Sequence, residues 1–100
     1  MLGGIAPAKK IPDMRDAFCI PDELHSSGSI VGQVANLHFM GAIRNCGFVE
    51  QPVPTERFEV CAEDLLDMDA EGYMPMPNKP ELGVDLDWDE VDRRTVFVTA

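Results

Sequence analysis

Basic residues are scarce in this chain: eight Lys and Arg stand against eighteen Asp and Glu, for a net charge of −10 over 100 residues. A surface of that sign repels phosphate backbones and anionic lipids, which argues against a nucleic-acid or membrane-surface partner. No apolar run approaches the roughly 18 residues needed to cross a bilayer. The opening M-L-G-G-I-A-P-A-K-K lacks the charged start and long apolar core of a secretory signal. Cysteine is sparse too. Cys19, Cys46 and Cys61 are widely spaced with no C-x-x-C pair, which leaves neither a disulfide frame nor a zinc motif. They read as reduced thiols, small buried hydrophobes of a soluble cytoplasmic protein. No internal repeat occurs, and no D-x-[DN]-x-[DN]-G calcium loop; D-M-D-A-E-G at 67–72 reads as a hairpin turn.

What is present divides at the middle. Residues 1–50 carry four Lys/Arg and five Asp/Glu, whereas residues 51–100 carry four and thirteen. The second half is an acidic, turn-rich stretch, and such a charge run ordinarily forms a solvated face. The first half is organised around residues 23–50, E-L-H-S-S-G-S-I-V-G-Q-V-A-N-L-H-F-M-G-A-I-R-N-C-G-F-V-E. Cys19–His25 reads as a strand ending in a histidine, and Phe48–Glu50 as a short strand ending in a glutamate. Between them Ile30, Val34, Leu37 and Met40 recur at helical spacing, with Ser27 or Ser29 as the cap and Asn45 and Gly47 as the stop. Strand, loop, helix, strand is a parallel α/β unit, and chemistry in such units collects at the carboxyl ends of the strands.

His25 and Glu50 therefore stand out. Alternation places Glu23 on the same face as His25. By spacing alone Glu23 and His25 read first as a polar pair with no catalytic task. His38, mid-helix beside the apolar stripe, reads as a satisfied packing histidine. Upstream, Pro7, Ile11, Met14 and Phe18 form a stripe interrupted by Pro12, which predicts a late start or a kink. Downstream, Thr55–Leu66 has helix formers, with Val60–Asp69 as an alternative hairpin arm. Ala70–Gly72 is a turn, Asp87 with Glu90 a capping-box start, Trp88 and Val91 pack the helix onto the body, and Thr95–Thr99 is a terminal strand.

The runs E-L-H-S-S-G-S, A-N-L-H-F, R-N-C-G-F-V-E and G-Y-M-P-M-P-N-K-P-E-L-G-V-D-L-D, opened by L-G-G-I-A-P-A-K-K-I, resemble the C-terminal part of the enolase superfamily. Within it they resemble the mandelate racemase and acid-sugar dehydratase branch. The resemblance implies an α/β fold: part of a (β/α) TIM-like barrel, strands seven and eight with flanking helices, over residues 1–54. Residues 55–100 would be an acidic extension returning toward a capping domain. A whole barrel needs roughly 200 to 250 residues, so the chain resembles the last third of such an enzyme.

The same resemblance assigns His25 as general acid/base. Glu50 would share a proton with a substrate carboxylate, which asks for a raised pKa in a dry pocket, and Glu23 would line the substrate site. It also implies Mg²⁺ in the full-length relative and an acid-sugar or 2-hydroxy-acid substrate. The carboxylates that hold the metal belong to strands absent here, so the chain alone is expected to carry no metal ligand, no cofactor and no turnover. Glu81 stands where the family carries a glycine, in P-E-L-G, a place that calls for positive φ. Uncovered strand edges would invite self-association. Two other readings remain on the residues alone. One is a free-standing acidic interaction module; the other is a small metal site built from His25, His38 and the cysteines.

Overall fold

The computed structural model describes residues 4–26, 28–63 and 66–97. Four α-helices are present among them: α1 (Ile5–Ala8), α2 (Lys10–Asp16), α3 (Ile30–Gly41) and α4 (Trp88–Arg94), with a 3₁₀ turn at Thr55–Arg57. Pro12 explains the first break. Placed mid-helix it would remove a hydrogen bond and clash with the preceding turn. The helix is instead interrupted at Lys9 and restarts at Lys10, so that Pro12 falls in the first turn of α2, where its missing N–H leaves no bond unmade. Pro12 is fully buried, whereas Ile11, Met14 and Phe18 of the expected stripe are exposed.

α3 is the centre of the fold. Ile30, Val34, Leu37 and Met40 are all buried, as their spacing predicts, together with Phe39 and Ile43. Ser29 occupies the N-cap with extended backbone, but its hydroxyl makes no capping bond; Ser27 lies outside the described residues. The helix ends at Gly41 with Ala42 as its C-cap, before the expected stop at Asn45 and Gly47. The Asn45 side-chain amide instead donates to the Pro12 carbonyl at 3.2 Å and the Ile20 carbonyl at 3.1 Å, tying the run after α3 to the segment before it.

No β-strand forms among the described residues; an isolated antiparallel bridge joins Ala62 and Leu86. Where strands were expected at Cys19–His25 and Phe48–Glu50, Cys19 stands in a turn with φ 55° and the runs 22–26 and 45–50 lie side by side without forming strands. Asp22 N–H donates to the Asn45 carbonyl at 2.8 Å, Glu23 meets Gly47 and Phe48, and Ser26 meets Glu50. The separations, 23 to 25 residues, are those of a parallel pair. Beyond the first contact, however, carboxylate oxygens of Glu23 and Glu50 take the N–H groups that a ladder would give to carbonyls. A parallel ladder is weak when it is not buried on both faces, and here the side chains have replaced it.

The second half packs against α3. His38 Nε2 lies 2.9 Å from the Leu82 carbonyl, which bears out its reading as a satisfied packing residue. The turn at 70–72 is present, with Gly72 N–H on the Asp69 carbonyl and Tyr73 N–H on the Asp69 carboxylate. Asp87 caps α4 by accepting the Glu90 N–H at 3.0 Å. The Glu90 carboxylate does not return to close the box, because Arg93 and Arg94 engage it. Three expectations fail. Trp88 is 67% exposed rather than packed, whereas Val91 of the same expected pair is half-buried. Thr55–Leu66 yields only the 3₁₀ turn at Thr55–Arg57 within its described part. Thr95–Phe97 is exposed and unpaired where a strand was expected, and the rest of that expected strand lies outside the described residues.

The radius of gyration is 15.0 Å, against about 13 Å for a compact chain of this length. The accessible surface is 7450 Å², where a compact monomer of this mass exposes about 5600 Å². The excess is largely apolar, for Ile5, Met14, Phe18, Ile20, Phe48 and Val53 are all exposed.

Candidate functional site

The segment that carries His25 is held from behind by α3. Gln33 Nε2 donates to the Gly28 carbonyl at 3.2 Å and Asn36 Nδ2 to the His25 carbonyl at 3.4 Å. Asn36 sits mid-helix, where asparagine has a poor intrinsic propensity, whereas glutamine is a good helix former. The place of Asn36 is the one sequence signal between the two, and it does not name the partner. The site is a shallow, open hollow lined by Glu23, Leu24, His25, Phe48, Val49 and Glu50, so the three expected residues do converge.

His25 Nδ1 lies 2.6 Å from Glu50 Oε2. The same oxygen accepts the Ser26 backbone N–H at 2.7 Å. Glu50 is thus the acceptor for two donors from one segment. The Ser26 N–H, with a smaller contribution from His25, holds its carboxyl below the usual carboxylate range against the opposing effect of desolvation. This runs opposite to the raised pKa asked for by a dry pocket. The reason is exposure: the Glu50 side chain is 52% accessible and that of His25 79%. A hydrogen-bonded carboxylate in water stays ionised. With Nδ1 turned to Glu50, the Nε2 atom of His25 is the ring nitrogen left to face a ligand.

Glu23 is engaged elsewhere in the hollow. Its carboxylate accepts the Gly47 N–H at 3.3 Å, the Phe48 N–H at 3.1 Å and the Cys46 thiol at 3.4 Å. Burial, and secondarily the Glu23 carboxylate, pushes the Cys46 thiol up from its ordinary value. The cysteines are free, as expected, but they are not buried: Cys19 is exposed, and Cys46 and Cys61 are half-buried. Cys19 and Cys61 adopt positive φ at chain reversals, which places them at turns rather than in the core.

No group of three or more His, Cys, Asp or Glu side chains is arranged to hold a metal ion among the described residues. His38, bonded to Leu82, does not join His25. No helix of the described residues is long and apolar enough to cross a membrane.

Comparison with known proteins gives a consistent picture. Residues 1–91 match the family described as enolase C-terminal domain-like. The chain is 32% identical over 99 residues to a D-xylonate dehydratase of Haloferax volcanii, covering 95% of this chain and 23% of that protein. It superposes with a TM-score of 0.88 and 36% identity on the crystal structure of a Pseudovibrio sp. protein assigned to the mandelate racemase/muconate lactonizing enzymes, covering 95% of this chain and 25% of that one. The chain therefore spans about a quarter of the length of each relative.

Proposed function

The chain belongs to the enolase C-terminal domain-like family, and on that premise we propose that it supplies the His25–Glu50 proton-transfer pair of an acid-sugar dehydratase or racemase. The observation that carries this reading is the 2.6 Å contact of His25 Nδ1 with Glu50. It fixes the imidazole's orientation and leaves Nε2 for a substrate proton. In a general acid/base role Nε2 takes the proton next to the substrate carboxylate and returns it, either to carbon or to a departing hydroxyl. Glu50, held as an acceptor by Ser26, orients the ring and balances its charge when it is protonated. The relatives' names point to an acid sugar such as D-xylonate as the substrate class.

Enolase-superfamily members typically use Mg²⁺ to stabilise the enediolate. The residues described here do not assemble a set that would hold that ion, so no step is assigned to it, and the chain by itself is expected to show no turnover. The polypeptide in which this sequence occurs in its native cell is the protein to assay, against acid sugars in Mg²⁺. His25→Asn is expected to lower turnover about 100- to 10,000-fold, the range of a lost general acid/base, with KM little changed. Undiminished turnover in that variant would refute the assignment.

A further inference from the structure

Glu23 does not fit the role of a ligand-binding side chain. Its two oxygens already receive three donors, from Cys46, Gly47 and Phe48, and all three lie on the run that ends in Glu50. We infer that Glu23 is a positioning residue: by gathering the 46–48 backbone it sets the parallel register that delivers the Glu50 carboxylate to Ser26 and His25.

Three features of the structure support this. First, the register of the two segments has few other holds. The Asp22–Asn45 backbone bond and the Asn45 amide on the Ile20 carbonyl hold one end, and the Ser26 and His25 contacts with Glu50 close the other. Between the ends stand Glu23 and a contact of the Leu24 backbone with the Cys46 thiol, and a ladder that would make Glu23 redundant is absent among the described residues. Second, the direction of action is clear from the chain. Glu23 is two residues before His25, and Phe48 is two residues before Glu50. Joining Glu23 to Phe48 therefore aligns the catalytic candidates at equal distances along both segments. Third, a carboxylate accepting two backbone N–H groups and a thiol makes charge-assisted hydrogen bonds, roughly twice as strong as neutral ones. These bonds order a Cys-Gly-Phe stretch that has little else to hold it, since Phe48 is 80% exposed. Gly47 in this stretch meets no neighbour within 4 Å of an added Cβ, so packing does not fix it either.

The inference rests on the reading of His25 and Glu50 as the reacting pair, but its test does not use activity. Amide hydrogen exchange of the ¹⁵N-labelled 100-residue chain is measured in Glu23→Leu, which keeps the volume and removes the acceptors, and in Glu23→Gln, which restores one carbonyl acceptor. In Glu23→Leu the Phe48 amide is expected to exchange about tenfold faster or more, the loss of one hydrogen bond to a charged group. The Ser26 amide, which Glu23 does not touch, is expected to exchange about threefold faster or more, because Glu50 is no longer delivered to it. Glu23→Gln recovers part of both, while the amides of Val34 and Leu37 in α3 stay as in the parent.

Faster exchange at Gly47 and Phe48 with Ser26 unchanged would overturn the inference and leave Glu23 as a local cap. Should Glu23→Leu not fold, Glu23→Gln alone answers the same question. Gly47, Phe48 and Ser26 all exchanging faster in it than in the parent would support the inference. Gly47 and Phe48 faster with Ser26 unchanged, or none of them faster, would overturn it. Neither result depends on whether His25 transfers a proton, so failure of this inference and failure of the proposed function remain distinguishable.

Discussion

Replacing Glu81 by glycine is expected to stabilise the chain by about 0.5–1 kcal/mol, and the magnitude follows from one turn. Gly83 N–H donates to the Pro80 carbonyl at 3.0 Å, closing a four-residue turn with Glu81 at its first central position. Glu81 has φ 61°, while Leu82, the second central residue, is not among the positive-φ residues. That is the φ pattern of a type II′ turn, whose first central place favours glycine. An L-residue held in the left-handed region costs about 1–2 kcal/mol. The extra freedom that glycine gives the unfolded chain returns roughly 0.5–1 kcal/mol of that gain. Glu81 is exposed, so its side chain gives up no buried contact. The same turn supplies its own control. Gly83 has φ 75°, and an added Cβ would lie 2.7 Å from Pro77 Cβ and 3.4 Å from the Lys79 backbone. Gly83→Ala combines the same strain with overpacking and is expected to cost about 2–4 kcal/mol. Thermal unfolding followed by circular dichroism reads both: a rise of about 2–8 °C for Glu81→Gly and a large fall for Gly83→Ala. A lower midpoint for Glu81→Gly, or an unchanged one for Gly83→Ala, would refute the reasoning.

Further consequences are open to direct measurement. The folded-state pKa of Glu50 lies below its reference value of 4.5, as does that of Glu90, held down first by Arg94. Their contribution is therefore complete above pH 4.5 and is lost as the pH falls through the lower folded values, so the unfolding midpoint should decline in that acid window and not near neutrality. In Glu50→Gln, with Glu90 still present, that decline should be shallower. Asp87→Ala removes the carboxylate that accepts the Glu90 N–H and should cost about 1 kcal/mol, seen as a lower urea midpoint with α4 amides exchanging faster. Ile30 is 1% exposed at the start of α3, and Ile30→Ala should cost about 2–5 kcal/mol, enough to abolish the cooperative transition. Light scattering across a concentration series should show association at high protein concentration, driven by the exposed Ile5, Met14, Phe18 and Ile20.

Several signals were legible in the sequence because the partner was also local. The α3 stripe from Ile30 to Met40, the turn at 70–72 and the Asp87 cap each depend on residues within a turn or two of one another, and each is present, whereas the positive-φ place of Glu81 followed from the family resemblance. The strands were not legible in the same way, because a strand exists only through its neighbour. Cys19–His25 and Phe48–Glu50 have the right pattern, but the N–H groups of Cys19 and Ile20 bond back to Asp16 and Arg15, that of Asp22 crosses to the Asn45 carbonyl, and that of Phe48 goes to the Glu23 carboxylate. The Pro7–Phe18 stripe misled for a related reason: periodicity marks a face to be covered, and Ile11, Met14 and Phe18 are exposed in this chain. Of the site, the convergence of His25 and Glu50 could be read from their places at two segment ends. The work done by Ser26, Asn36 and Cys46 could not, since each acts on a residue 11 to 24 positions away or through the backbone.

The charge of Glu50 joins these observations. The resemblance to acid-sugar dehydratases asks for a carboxyl that shares a proton in a dry pocket, whereas in this chain the same carboxyl is ionised, because the Ser26 N–H and His25 both favour its charged form. Burial already acts in the opposite direction and is the second largest influence on the group. The hydrogen bonds are internal to residues 25–50 and do not depend on anything laid over the hollow. The dehydration does. Covering the rim formed by Leu24, Phe48 and Val49 would remove water from a carboxylate that is now 52% accessible, leaving its two donors in place while strengthening the penalty on its charge. The pair is thus geometrically prepared, and the Ser26 N–H that fixes its geometry is also the first cause that keeps Glu50 ionised. Geometry and proton affinity are coupled at this site through that one hydrogen bond, and removal of water from the hollow would work against it.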